Sequence, residues 1–161
     1  MILRPGAPDD FEKILAWRNS PLAIQYSKSG RALTREDGIK TYGDALSRMD
    51  SSRRVLIPCL DPATPIGYLR FDIGAEGNCA EVSIALDAKF QGQGHGTEAL
   101  KKGCAHAFAH YGVERITAVV MGANEVSVKA FTNAGFACIQ NETDFSTYEL
   151  KRDRRHGKTG E

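Results

Sequence analysis

The chain has 161 residues, of which 42% are hydrophobic, and its 21 basic and 20 acidic side chains leave a net charge of +1. This length suits one globular domain that buries about two-thirds of the surface exposed by its unfolded chain. No stretch approaches the ~20 apolar residues of a membrane span, the start does not have the pattern of a signal peptide, and the charge balance does not indicate a polyanion-binding surface. We therefore expect a cytoplasmic protein without a membrane or nucleic-acid partner.

The first third of the chain predicts one short strand and two helices. The strand is "ILR", and the helix "DDFEKILAWRN" follows it, with Asp9 and Glu12 at the spacing of a capping box. The second helix, "TREDGIKTYGDALSRM", begins after Thr34 as N-cap. Its periodicity predicts an apolar stripe of four residues, Ile39, Tyr42, Leu46 and Met49.

From Arg53 onward the periodicity changes to that of strands. The segments "RRVLIPCL", "PIGYLRFDI" and "CAEVSIAL" are separated by "DPATP" and "GAEGN", which predicts an antiparallel meander. A helix from about Gly96 to Tyr111 follows, then the strand "RITAVVM", the helix "NEVSVKAFTNA" and the strands "FACIQNE" and "STYELKR". The order β-α-α-β-β-β-α-β-α-β-β predicts an α+β (mixed α/β) fold, with a central mixed sheet of six to seven strands flanked by four helices.

We expect one domain over residues 1–150 and a basic, flexible tail over residues 151–161, which contain five basic and two acidic side chains. The four cysteines are 20, 25 and 34 residues apart, without a CxxC pair or a histidine at metal-ligand spacing. This spacing favours buried free thiols in a reduced compartment and does not indicate a metal site.

Three glycines, Gly92, Gly94 and Gly96, occupy alternate positions directly before the third predicted helix. A strand that leads into a glycine loop and a helix N-terminus directs several N–H groups at one spot, which suits a phosphate or pyrophosphate. The pattern is not a Walker loop, because no Gly-Lys-Ser/Thr follows, and Thr97 occupies the third glycine position of GxGxxG. Taken alone, the segment is also compatible with a purely structural turn.

Two motifs together resemble the GNAT superfamily of acyl-CoA N-acyltransferases. "QGQGHG" matches the family's Gln/Arg-x-x-Gly-x-Gly/Ala pyrophosphate loop through Gln91, Gly94 and Gly96. The segment "NEVSVKAFTNAGF" resembles the Asn-x-x-Ser/Ala-x-x-x-Tyr/Phe-x-x-x-Gly-Phe motif, with matches at Asn124, Ser127, Phe131, Gly135 and Phe136. The predicted element order is also that of the family, so the resemblance covers Met1 to about Lys151.

The resemblance implies acetyl-CoA as the acyl donor and assigns residues to its binding. The strand "EVSIAL" would pair with the pantetheine arm through the main chain around Ile84, Ala85 and Leu86. The diphosphate would lie on the amides of Gln91, Gly92, Gln93, Gly94, His95, Gly96 and Thr97. Asn124 and Ser127 would contact pantetheine or phosphate, beside Phe131.

The resemblance also bears on proton transfer. Glu81 corresponds to a glutamate that accepts the amine proton in several members, although a strand-edge carboxylate facing solvent is the alternative. Such a base matters most for a lysine-like amine of pKa ~10.4, whose protonation costs about 4.6 kcal/mol at pH 7, against about 1 kcal/mol for an amine of pKa ~8. Many members carry tyrosine where this chain has Phe131, so the general acid is open between Tyr68, Tyr148 and water.

The acceptor side is implied by the region "AWRNSPLAIQYSKSGRALT", including Trp17, Arg18, Asn19 and Tyr26. An aromatic ring, a cation and an amide could recognise an anionic or nucleotide-linked acceptor, or Trp17 could pack in the core and Arg18 pair with a carboxylate. The segments "ILAWRNSP", "GYLRFD" and "AEVSIAL" resemble the branch that acetylates nucleotide-linked amino sugars. Ribosomal-protein N-terminal acetylation and a non-catalytic acyl-CoA-binding domain are the alternatives, and a homodimer is open.

Overall fold

The computed structural model describes residues 1–153. Within them the seven strands are β1 Ile2–Pro5, β2 Arg53–Cys59, β3 Gly67–Ile73, β4 Cys79–Leu86, β5 Arg115–Met121, β6 Ala137–Asn141 and β7 Phe145–Lys151. The five α-helices are α1 Phe11–Arg18, α2 Pro21–Gln25, α3 Arg35–Leu46, α4 His95–His110 and α5 Glu125–Asn133. Short 3₁₀ turns precede α1, at Pro8–Asp10, and α4, at Ala88–Phe90.

The strands form one sheet in the order β1-β2-β3-β4-β5-β7-β6. All neighbouring pairs are antiparallel except β4 and β5, which run parallel because α4 crosses from one to the other. The predicted meander is β2-β3-β4, and all seven predicted strands are present. The mixed sheet with helices on it confirms the predicted fold class.

Each face of the sheet is covered by its own helices, so the core has two parts. Alternate side chains of the central strands, including Leu69, Phe71 and Val82, pack with α4 and α5 on one face. Those of the opposite parity, including Ile57 and Tyr68, pack with α1 and α3 on the other. The ends of β4 and the start of α4 are therefore accessible from both layers.

The helices between β1 and β2 differ from the prediction in their number and in the way α1 begins. The short helix α2 was not predicted, although Ser20 caps it through its hydroxyl and Pro21 occupies its first turn. The predicted capping box of Asp9 and Glu12 is wrong, because the chain enters α1 through a 3₁₀ turn in which Asp10 accepts from the Ala7 amide at 2.9 Å. Asp10 also binds Arg4, whose hydrogen bond lowers the pKa of that carboxyl.

The apolar stripe of α3 also needs correction. Thr34 caps the helix as predicted, and Tyr42 and Leu46 are buried. Ile39 and Met49, however, are 54% and 79% exposed, because the helix ends at Leu46 and turns Gly38 and Ala45 toward the core instead. Gly38 allows close packing, since an added Cβ would lie 3.1 Å from the Leu15 side chain.

All four cysteines are free thiols, as predicted, but only Cys59 and Cys104 are buried, whereas Cys138 is exposed on β6. Lys151, placed in the tail by the sequence, is the last residue of β7. The rest of the expected flexible tail lies, from residue 154 on, outside the described residues. Among residues 1–153, no helix has both the length and the apolar character needed to span a membrane.

Gly67 is required where β3 lies against β4, and its replacement by alanine is expected to destabilise the fold. A Cβ at this position would overlap the carbonyl oxygen of Ala85 and lie 2.8 Å from the Leu86 side chain. Overpacking against a fixed backbone lowers the free energy of unfolding by about 1–3 kcal/mol, and urea denaturation would measure it.

Gly43→Ala is the matched control, because its new Cβ would lie 3.7 Å from Ile39 Cγ2 on a helix. We expect it to raise the free energy of unfolding by up to about 1 kcal/mol. Equal stability of Gly67→Ala and the wild-type chain would contradict the packing argument.

Candidate active site

A gap in the sheet between β4 and β5 forms the centre of the site. The two parallel strands are in register only from Cys79 to Glu81 on β4, opposite residues 115–117 of β5. Beyond Glu81, β4 continues to Leu86 in register with β3 on its other side. The edge of β4 facing β5 therefore has main-chain groups that β5 does not pair, and an extended molecule could bind them as an additional strand.

The gap opens into a cleft of about 670 Å³, here called the central cleft. Its strand-gap half is formed by main-chain and apolar groups of β4, β5 and the starts of α4 and α5, among them Ile84, Gly96, Asn124, Ser127 and Phe131. Its acceptor half is formed by polar side chains on the α1–α3 side, among them Arg18, Tyr26, Lys28, Tyr42, Tyr68, Arg70 and Glu81.

The glycine loop before α4 presents amide groups to the strand-gap half. Gly92 and Gly94 have φ values of 74° and 82°, which side chains other than glycine rarely adopt, and Gly94 is the N-cap of α4. The first hydrogen bond of the helix runs from Glu98 N to Gly94 O at 3.2 Å. The amides of the preceding three residues thus have no acceptor within the helix, as is usual at a helix N-terminus.

The side chains of the loop hold its shape. Gln91 Nε2 donates to Leu86 O at 3.1 Å, which joins the loop to the end of β4, and Gln93 Nε2 donates to Lys89 O at 3.0 Å. The His95 ring is half-buried against Phe90, with 6.4 Å between ring centroids. These contacts leave the main chain of the loop, rather than its side chains, as the group that could bind a ligand.

A second helix N-terminus borders the same half of the cleft. Asn124 caps α5 by accepting from Ser127 N at 3.2 Å. Phe131, one turn further, is buried in edge-to-face contact with Phe136 at 5.0 Å. Two helix N-termini at one cleft create a positive local potential, which suits an anionic ligand such as a diphosphate.

The acceptor half contains a buried polar network on β3 and α3. The hydroxyls of Tyr42 and Tyr68 are 2.8 Å apart, and Arg70 Nη1 donates to Tyr42 at 3.4 Å. Arg70 also donates to Asp72, which pairs with Arg53 at 2.6 Å. Burial raises the pKa of the Tyr68 hydroxyl well above its ordinary value, and Tyr42 adds to the shift. Tyr68 therefore stays protonated throughout the neutral pH range.

Glu81 lies where the register of β4 and β5 ends, and its side chain is 38% exposed. It occupies the face of β4 that carries Ser83 and Ala85, opposite the face buried by α4 and α5. The Nζ atom of Lys28, from the loop after α2, lies 3.7 Å from Glu81 Oε1. A carboxylate beside an amine at the end of the strand gap has the arrangement needed for proton transfer from an acceptor amine.

The four acceptor residues expected from the sequence are placed differently. Arg18 and Tyr26 line the central cleft, and Arg18 Nη1 donates to Arg31 O at 3.5 Å rather than pairing with a carboxylate. Trp17 is buried, and its indole N–H donates to Asp87 at 3.2 Å. Both polar groups of the Asn19 side chain bind the main chain of Leu33. Its Oδ1 accepts from Leu33 N at 2.7 Å, and its Nδ2 donates to Leu33 O at 2.8 Å. Trp17 and Asn19 therefore position the wall of the cleft.

Sequence reasoning did not select Lys28, Tyr42 or Arg70. For Arg70 a signal exists, because Tyr68, Arg70 and Asp72 alternate along β3 with buried apolar residues and so share one face. For Lys28 there is none, since its position depends on the conformation of a loop. Of the two tyrosines considered as general acids, Tyr68 borders the central cleft, whereas Tyr148 packs against the core on the α5 face.

A sheet opened between two parallel strands, with a glycine loop and a helix N-terminus at the opening, is the arrangement that the resemblance to the GNAT superfamily implies for an acyl-CoA site. Residues 1–137 match the family model described as "Acetyltransferase (GNAT) domain", and the chain therefore belongs to the GNAT acetyltransferase family. Acetyl-CoA is accordingly its acyl donor, and the family and donor predicted from the sequence are confirmed.

The chain is similar to one curated protein in sequence and to solved structures in fold. A mycothiol acetyltransferase from Propionibacterium freudenreichii subsp. shermanii is 28% identical over 130 residues, which are 76% of this chain but 41% of that protein. A solved aminoglycoside acetyltransferase in complex with coenzyme A and kanamycin has a TM-score of 0.78 at 18% identity, covering 99% of this chain and 98% of its own. A Vibrio cholerae spermidine N-acetyltransferase with CoA and spermine has a TM-score of 0.76 at 16% identity, covering 93% and 94%.

Proposed function

We propose that this chain transfers the acetyl group of acetyl-CoA to a primary amine by direct attack in a ternary complex. The acceptor is an amine that also carries negative charge, and an amino sugar on a nucleotide carrier is the best candidate. The observation that carries this proposal is the central cleft itself, in which the strand gap and glycine loop adjoin Glu81 and several cationic side chains.

The strand-gap half fits acetyl-CoA. The pantetheine arm binds the free edge of β4 at Ile84, Ala85 and Leu86, and the diphosphate accepts hydrogen bonds from the amides of residues 91–97. Gly92 and Gly94 have open space on the side where a Cβ would stand, so phosphate oxygens can approach the main chain. Asn124 and Ser127 border the same half and contact the pantetheine or phosphate groups.

Glu81 is the base in this proposal. An amine attacks the thioester only when neutral, and Glu81 receives its proton directly or through water. The new C–N bond forms as the C–S bond breaks, and coenzyme A leaves as a thiolate. At pH 7, releasing a thiol of pKa ~8.5 as the unprotonated thiolate costs only about 2 kcal/mol. The absence of a hydroxyl at Phe131 therefore does not prevent this step.

The charges of the acceptor half indicate the acceptor's charge. Arg18, Lys28 and Arg70 line it, against the single carboxylate of Glu81, while Glu125 lies at the start of α5 in the other half. Asp72 binds both Arg53 and Arg70, and its single negative charge balances only one of these two positive charges. A phosphate or carboxylate on the acceptor gains from this surplus, whereas a polyamine such as spermine is repelled.

A protein N-terminus is the alternative acceptor, and an open acidic groove would suit it better than this cationic lining. The test is a panel assay of free-thiol release from acetyl-CoA with nucleotide-linked amino sugars, small neutral and anionic amines, polyamines and peptides. Highest kcat/KM with an anionic amine supports the proposal, and preference for polyamines or peptides overturns its acceptor class. Binding of acetyl-CoA by calorimetry without turnover of any amine would indicate a non-catalytic domain.

Tyr68→Phe is expected to lower kcat by up to about tenfold, because Tyr68 is the one of the two tyrosines considered as general acids that borders the central cleft. The lost hydrogen bond to Tyr42 also costs about 1 kcal/mol of stability. Tyr42→Phe is the control, since it breaks the same bond but keeps the Tyr68 hydroxyl. Equal kcat in the two variants would assign proton donation to water.

A further inference from the structure

Lys28 brings a primary amine of the chain itself to the acceptor half of the central cleft. Its Nζ atom lies 3.7 Å from Glu81 Oε1, and both residues line the cleft. The loop that carries Lys28 follows α2 and turns at Gly30, whose φ is 65°. Lys28 thus occupies the position beside Glu81 where the proposed mechanism requires an acceptor nitrogen.

From this geometry we infer that the domain acetylates its own Lys28 when acetyl-CoA is bound and no acceptor fills the cleft. The inference rests on the proposed function, because it uses Glu81 as the base. Glu81 takes a proton from the Lys28 ammonium, and the neutral Nζ attacks the thioester carbonyl carbon. The N–C bond forms and the C–S bond breaks. Of the two protons that Nζ loses, Glu81 passes the first to solvent, and the second protonates the coenzyme A thiolate by way of water or Tyr68. The products are N-acetyl-lysine, free coenzyme A and one released proton.

Acetylation would change the cleft in two ways. It removes one of the cations of the acceptor half, which lowers the affinity for an anionic acceptor. It also removes the charged partner that now pairs with Glu81. The modification is therefore a self-limiting response to acetyl-CoA without acceptor, and an acceptor that binds beside Glu81 protects Lys28.

The chain contains a matched control lysine. Lys40 Nζ lies 3.7 Å from Glu36 Oε1, the same distance as in the Lys28 pair, but both groups are on the outer surface of α3. The side chains of Lys28 and Lys40 are 65% and 70% exposed. Their intrinsic reactivity toward a chemical acetylating agent should therefore be similar, and only the position in the cleft distinguishes them.

The experiment incubates the purified full chain with isotopically labelled acetyl-CoA and maps the label by peptide mass spectrometry. Lys28 should gain label at least about tenfold faster than Lys40, because it is held beside the reacting centre. Acetyl phosphate should label the two lysines at similar rates. The first-order rate constant at Lys28 should not depend on protein concentration, and Glu81→Gln should reduce it to that of Lys40.

The outcomes separate this inference from the proposed function. Equal labelling of Lys28 and Lys40, or fast labelling of Lys28 that Glu81→Gln leaves unchanged, overturns the inference. If the amine panel shows turnover while Lys28 stays at the level of Lys40, self-acetylation fails and the transferase function stands. If neither an amine nor Lys28 is acetylated, both fail.

Discussion

Glu81→Gln is expected to lower kcat/KM for a strongly basic acceptor amine by about a hundredfold to a thousandfold, as removal of a general base does. The carboxylate lies at the end of the β4–β5 register beside an amine, 3.7 Å from Lys28 Nζ. Glutamine has nearly the same shape but cannot accept the proton. The decrease in kcat/KM should be smaller for weakly basic amines. Deprotonation at pH 7 costs an amine of pKa ~8 only about 1 kcal/mol, whereas it costs an amine of pKa ~10.4 about 4.6 kcal/mol.

The measurement is the pH dependence of kcat/KM with two acceptors of different basicity. In the variant the rate should follow only the fraction of neutral amine and should recover as pH rises toward the amine's own pKa. Binding of acetyl-CoA, measured by calorimetry, should not change, since Glu81 is on the acceptor half. Glu36→Gln is the control. It removes a carboxylate that lies outside the cleft and is also 3.7 Å from a lysine Nζ atom, that of Lys40. An unchanged pH–rate profile in Glu81→Gln would rule out this role.

The succession of strands along the chain and four of the five α-helices of the described residues could be predicted, because the periodicity changes at recognisable turn residues. The glycine loop was predictable for a further reason: only glycine readily adopts the positive φ of positions 92 and 94, so the sequence records the backbone conformation directly. The cap of α5 is also a local feature, since Asn124 accepts from the amide of Ser127 three residues further on, but the sequence analysis did not identify it.

The acceptor half was less predictable, because its side chains meet only in three dimensions. Trp17 and Asp87 are 70 residues apart in the chain yet hydrogen-bonded, so no local pattern could show that Trp17 is a buried support of the cleft rather than an acceptor-binding residue. The exposure of Ile39 was missed because the stripe of α3 starts at Gly38, a glycine that periodicity does not count as apolar. Local propensity identifies elements, whereas the packing partner decides which face is buried.

The two halves of the central cleft also differ in what determines them. The strand-gap half is built mainly from main-chain groups, which any sequence with the right glycines and caps can present. The acceptor half is built from the side chains of β3, α3 and the loops around α2. Substitution there can change the acceptor without disturbing the acyl donor, so the family assignment fixes the donor and leaves the acceptor to be found by experiment.

Gly94→Ala is expected to raise the Kd for acetyl-CoA by about tenfold to a hundredfold. Gly96→Ala is expected to leave it nearly unchanged, because Gly96 matches the motif position that accepts either glycine or alanine. A Cβ at Gly96 would lie 3.6 Å from Leu86 Cδ1 and 3.8 Å from Ala130 Cβ, which are ordinary contacts, so the protein itself has room for it. At Gly94, by contrast, the φ of 82° is one that side chains rarely adopt, so alanine there would displace the loop amides that the diphosphate must approach. Losing one charge-assisted hydrogen bond costs about 1.5–3 kcal/mol, which corresponds to that change in Kd.

Gly96→Ala and Gly94→Ala should also differ in stability. Gly96 lies in the first turn of α4, and alanine in a helix is favoured over glycine by up to about 1 kcal/mol, so the melting temperature should stay equal or rise. Gly94→Ala is the comparison, because its φ of 82° makes any side chain there strained and should lower stability as well as binding. Calorimetry with acetyl-CoA and thermal melting of the two variants test both effects. Unchanged affinity in Gly94→Ala would mean that the phosphates do not lie on this loop, whereas a lowered melting temperature of Gly96→Ala would mean that Gly96 serves the fold.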